Sequence, residues 1–112
     1  MDIDTVKEGD TLIAKTEGRV DGTNAREFQE ALEGVIKNAD HSVILDMEQL
    51  TYISSAGLRV ILLIAKALER QNVKFGVCSL SDPIREIFDI SGFDKVVQVS
   101  GSQSEAISAV QG

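Results

Sequence analysis

With 112 residues, the chain can hold one hydrophobic core and is too short for two ordinary domains, so residues 1–112 read as a single domain. A hydrophobic content of 43 % beside 26 % charged residues excludes an intrinsically disordered chain. Eighteen acidic against eleven basic residues leave a formal net charge of −7, which argues against direct nucleic-acid binding or an anionic membrane as the main partner.

The opening Met1-Asp2-Ile3-Asp4 lacks the basic-then-apolar pattern of a signal peptide. A first strand is expected near residues 3–7 and a second over residues 11–17, with Gly9-Asp10 as the hairpin turn between them. After Gly18 the period changes. Ala25, Phe28, Leu32, Val35 and Ile36 fall at helical spacing, Asp21 or Thr23 is placed to cap that helix, and residues 38–41 end it. The β-branched run Ser42 to Met47 has the pattern of a strand covered on both faces and is the expected centre of the sheet, and residues 48–54 read as a connection.

A helix is expected to start at Ser54 or Ser55 and to run to about Arg70. Its apolar stripe through Leu58, Ile61, Leu62, Ala65 and Leu68 is broadened by Val60, Leu63, Ile64 and Ala67, as for a helix lying flat on a sheet with helical neighbours. The longest apolar run here, Val60 to Ala65, is far short of a membrane span, so no integral membrane insertion is expected and the location is read as cytoplasmic. Arg59, Lys66, Arg70 and Lys74 read as a solvated face. Another strand follows over Lys74 to Leu80. Pro83 suits the first turn of the next helix, capped by Ser81 or Asp82 and ended by Gly92. A last strand over Val96 to Val99 and a short helix over Ser104 to Val110 complete the order β-β-α-β-α-β-α-β-α. Strands alternating with helices give an α/β fold: a mostly parallel mixed sheet of about five strands with about four helices.

Enzyme signals are weak, and the chain is read as not an enzyme. His41 lies in a loop with no second histidine or nearby cysteine to complete a metal set. Cys78 sits in an apolar run, as a buried structural thiol does. The glycines form neither a dinucleotide fingerprint nor a lysine-bearing phosphate loop. Catalytic residues, metal ligands and a cofactor are therefore all assigned as none.

The distinctive segment is Leu45 to Leu62, where the central strand ends and a helix begins among small residues. One reading makes Ser54 or Ser55 a simple helix cap. The other adds that a helix start offers unpaired amides and a favourable dipole to an anion, including a phosphate attached to serine.

The run Ile53-Ser54-Ser55-Ala56-Gly57-Leu58-Arg59-Val60-Ile61-Leu62 resembles the signature of STAS-domain anti-sigma-factor antagonists, or anti-anti-sigma factors. The resemblance extends along the chain through Gly18-Arg19-Val20-Asp21, Val43-Ile44-Leu45-Asp46-Met47 and residues 83–93. The family's phosphorylation segment reads Asp-Ser-Ser-Gly with the first serine modified. Matching on Gly57 places the acceptor at Ser55, with Ser54 standing where the aspartate falls and Ala56 where the second serine falls. Ser54 is the second candidate acceptor.

The resemblance implies a non-catalytic switch. The unphosphorylated form would bind an anti-sigma factor with serine-kinase activity and release its captive sigma factor or another partner. Phosphorylation at Ser55 would end that binding, and a metal-dependent serine phosphatase would restore it. It further implies a recognition surface of Asp21, Asp46, Glu48, Tyr52, Ser54, Ala56, Gly57 and Arg59. The alternative is a STAS module that binds a protein or a small ligand without phosphorylation, in a signalling or envelope-related assembly.

Overall fold

The computed structural model describes residues 3–111; Met1, Asp2 and Gly112, which the single-domain reading includes, lie outside the described residues. The strands are β1 (Asp4–Glu8), β2 (Thr11–Val20), β3 (Ser42–Ile53), β4 (Lys74–Cys78) and β5 (Gln98–Ser100). The helices are α1 (Ala25–Ile36), α2 (Ser55–Arg70), α3 (Asp82–Ser91) and α4 (Gln103–Gln111), with one 3₁₀ turn at Phe93–Lys95. The sheet order is β1-β2-β3-β4-β5, with β3 at its centre as the sequence predicts. Among the described residues only the β1–β2 hairpin is antiparallel, and Gly9 at φ +60° makes its turn. The remaining pairings are parallel, so this is the expected mixed α/β sheet.

Consecutive parallel strands laid side by side, each joined by a right-handed crossover, must place all their helices on one face. Accordingly Phe28 and Leu32 of α1, Leu58, Ile61, Ile64 and Leu68 of α2, and Ile84 and Phe88 of α3 share one core with Leu12, Ala14, Val43, Leu45, Met47 and Val77 of the sheet. The other face is covered by α4, whose Ala106 and Val110 pack on Ile13, Ile44 and Cys78.

Four local expectations are corrected. Residues 48–53 are not a connection: they continue β3 to Ile53. Two register shifts against β2 explain why no alternation is visible, since the pairing passes from Asp46 to Gln49 and from Leu50 to Tyr52. Each extra residue stretches the period from two to three, so that Met47, Leu50 and Ile53 all enter the helix-side core.

The α1 cap position belongs to Asn24 rather than Asp21 or Thr23, and it makes no side-chain capping bond. The Asn24 amide instead braces the preceding loop, accepting from the Asp21 N–H at 2.9 Å and donating to the Arg19 carbonyl at 2.8 Å. The fourth strand stops at Cys78 because Ser79 turns left-handed, at φ +61°. The last strand begins at Gln98, not Val96. Phe93 packs edge-on against Phe88 with ring centroids 5.7 Å apart, the 3₁₀ turn follows, and Val97 rather than the 61 % exposed Val96 enters the core.

Candidate functional site at the start of the second helix

Two adjacent serines join β3 to α2: Ser54 follows the last strand residue, Ile53, and Ser55 opens the helix. The Ser54 N–H donates to the Val20 carbonyl at 2.9 Å, continuing the β2–β3 ladder to the last residue before the helix. Ser54 is extended, at φ −90° and ψ 175°, and its Oγ accepts from the Gly57 N–H at 3.4 Å. It therefore fills the cap position, where a side-chain oxygen satisfies a first-turn amide. Ser55 is the first helical residue; it is exposed, and its side chain makes no hydrogen bond among the described residues.

Gly57 sets how closely α2 meets the sheet. A Cβ at this position would lie 2.6 Å from Cγ1 of Ile53 and 2.8 Å from Cγ1 of Val20. Neither atom belongs to a side chain that can swing away, since both residues are β-branched and buried. The missing side chain thus lets the helix start rest directly on the ends of β2 and β3, which holds Ser55 at the rim.

Beside Ser55 lies an open groove of about 340 Å³, lined by Ser55, Leu58, Arg59 and Leu62 of α2, Ser91 of α3, and Phe93 of the 3₁₀ turn. Its far wall is fixed by Ser91, whose hydroxyl donates to the Phe88 carbonyl at 3.2 Å and accepts from the Phe93 N–H at 3.4 Å. Ile90, the residue before Ser91 on α3, is 79 % exposed. Leu58, Leu62, Ser91 and Phe93 were not anticipated as site residues. Leu58 and Leu62 had a sequence signal only as members of the apolar stripe of α2, part of which faces this groove rather than the sheet.

The structure divides the remaining candidates. Ser54, Ala56, Gly57 and Arg59 surround Ser55 on α2, and Asp21 follows Val20, the residue hydrogen-bonded to Ser54. The Asp21 carboxyl is held below its ordinary value of 3.8, first by the Thr23 hydroxyl and then by the Thr23 amide, with Arg19 adding to the effect. Asp46 and Glu48 do not join this surface. Asp46 is only 7 % exposed and follows Ile44 on the face covered by α4, where its carboxylate accepts from the Glu48 N–H at 3.0 Å and from Gln103 Nε2 at 2.9 Å. Glu48 lines a small recess with Lys15, Thr16, Asp46 and Gln49. Tyr52 points away from Ile53, and the Arg19 guanidinium lies over its ring at 4.4 Å. Simple alternation from Ile44 sets Asp46 and Glu48 on the α4 side of the sheet.

A helix-start serine left free by its capping neighbour thus stands beside an apolar groove on a small α/β domain. The family model for the STAS domain matches residues 2–106, and the chain belongs to the STAS-domain family. BtrV of Bordetella bronchiseptica, assigned as an anti-sigma factor antagonist, is 40 % identical over 98 residues, covering 88 % of this chain and 84 % of BtrV. A Thermotoga maritima structure, also assigned as an anti-sigma factor antagonist, superimposes with a TM-score of 0.90 at 19 % identity, covering 98 % of this chain and 95 % of that one. The Bacillus cell-fate determinant SpoIIAA in its phosphorylated form superimposes at 0.69 with 20 % identity, covering 97 % of this chain and 99 % of that one.

Proposed function

We propose that this STAS domain is an anti-sigma factor antagonist whose binding is switched off by phosphorylation of Ser55. The carrying observation is the division of labour between the two serines: Ser54 caps the helix, while the Ser55 hydroxyl is exposed and unengaged at the groove. In the unphosphorylated form the groove of Leu58, Leu62 and Phe93 receives the anti-sigma factor, which is also the serine kinase. A metal-dependent serine phosphatase resets the switch, and ATP and metal belong to these partners. The resemblance to BtrV and the existence of a phosphorylated structure of SpoIIAA support the reading.

The physics supports its sign. A phosphate adds roughly −1.5 to −2 charges at the rim, in a place where a helix N-terminus tolerates negative charge, so the free fold keeps its stability. A partner surface built to meet a neutral hydroxyl and apolar side chains gains an unmatched dianion. The test is peptide mapping after incubation with the cognate kinase and ATP. Phosphate on Ser55 is the expected outcome, together with loss of kinase binding by the Ser55→Asp variant; absence of phosphate at both Ser54 and Ser55 overturns the proposal.

A further inference from the structure

We infer that Arg59 is the intramolecular counter-ion of phosphorylated Ser55, so that modification both adds a dianion to the groove and withdraws the groove's cation from the partner. The inference rests on the phosphorylation reading above and adds to it a specific residue and a second component of switching.

Ser55 and Arg59 stand four residues apart on α2, both are exposed, and both line the same groove. Side chains at this spacing are neighbours on a helix surface, and the favourable order places the anion N-terminal to the cation. The other groove residues, Leu58, Leu62, Ser91 and Phe93, carry no charge. No acidic residue occupies the first turn of α2, and Arg59 forms no ion pair among the described residues. Arg19 is already engaged over the Tyr52 ring, and Arg85 with Asp89.

A guanidinium presents parallel N–H donors that match two phosphate oxygens, a geometry a lysine ammonium does not reproduce. In the unmodified protein no described residue pairs with Arg59, which is then available to a carboxylate on the partner. Once Ser55 carries phosphate, the guanidinium turns one helical turn back towards the N-terminus and closes on it. No bond other than the serine phosphoester is made, and no proton need move.

The test uses full-length protein with phosphoserine incorporated at position 55 during translation, which requires no kinase. The phosphate is titrated by ³¹P NMR in the parent and in the Arg59→Gln and Arg59→Lys variants. Free phosphoserine loses its second proton near pH ~6, and the parent phosphate is expected to titrate about half a pH unit below that of Arg59→Gln, with Arg59→Lys between them. Asp21, Asp94, Lys95 and the helix dipole are common to all three proteins, so the difference isolates Arg59. Identical titration of parent and Arg59→Gln overturns the inference. Because the phosphate is installed directly, that failure is distinct from failure of the kinase to modify Ser55, which would overturn the proposed function and leave the pairing chemistry standing.

Discussion

The Ser54 Oγ lies 3.4 Å from the Gly57 amide nitrogen, so the serine that closes β3 is held by the helix it starts, while its neighbour is not. The two positions therefore respond oppositely to alanine. Ser54→Ala is expected to cost about 0.5–1 kcal/mol in urea unfolding, the low end of the capping range because the bond is long, and to leave phosphorylation of Ser55 in place. Ser55→Ala is expected to abolish phosphorylation and to stay within about 0.5 kcal/mol of the parent in stability. Phosphate retained on the Ser55→Ala protein would move the acceptor to Ser54.

Gly57→Ala tests how rigidly α2 is seated. The added methyl meets Ile53 and Val20 at distances that no ordinary carbon contact reaches, and both neighbours are buried and β-branched. Loss of about 1–3 kcal/mol is expected from overpacking, despite the higher helix propensity of alanine. A rise in stability by urea denaturation would mean that the helix start lifts off the sheet without strain.

The positions of four helices and five strands were readable from sequence because each rests on a period or a punctuating residue: Phe28, Leu32 and Ile36 for α1, Pro83 and Gly92 for α3. The second half of β3 was not. Its two bulges break the alternation on which strand recognition depends and bring Met47, Leu50 and Ile53 into the helix-side core at a spacing of three. At the site, the helix start at Ser54 or Ser55 followed from short-range pattern, while the acceptor and Gly57 were assigned from the family resemblance. The groove followed from neither, because Phe93 reaches it through the left-handed Gly92 and an edge-on contact with Phe88, both products of tertiary packing.

Asp21 gives a pH-dependent signature. Its folded value lies below 3.8, chiefly through the Thr23 hydroxyl, so the stabilisation is present above pH 3.8 and is lost as pH falls through the folded value. Thr23→Val removes the hydroxyl and keeps the backbone donor. Carboxyl titration by NMR is expected to show Asp21 moving up towards 3.8, and the stability difference between parent and variant is expected to fade below that pH. An unchanged Asp21 titration would assign the depression to the Thr23 amide and Arg19 instead.

Asp46 is the residue on which the sequence-based surface and the observed packing diverge most, and Cys78 supplies a readout for it. Cys78 pairs with Asp46 across β3 and β4 and lies fully buried under α4, where desolvation above all pushes its thiol up to about 11. A buried neutral thiol reacts slowly with alkylating reagents near neutral pH, so its labelling reports how often α4 leaves the sheet. Asp46→Ala removes the acceptor for Gln103 on α4 and for the Glu48 amide, which is expected to cost about 1–3 kcal/mol and to speed Cys78 labelling under native conditions. Phosphorylation of Ser55 is expected to proceed as in the parent, because the lost contacts lie across the sheet from α2. A variant that kept Cys78 protected but was no longer phosphorylated would return Asp46 to the recognition surface and overturn its assignment as the anchor of α4.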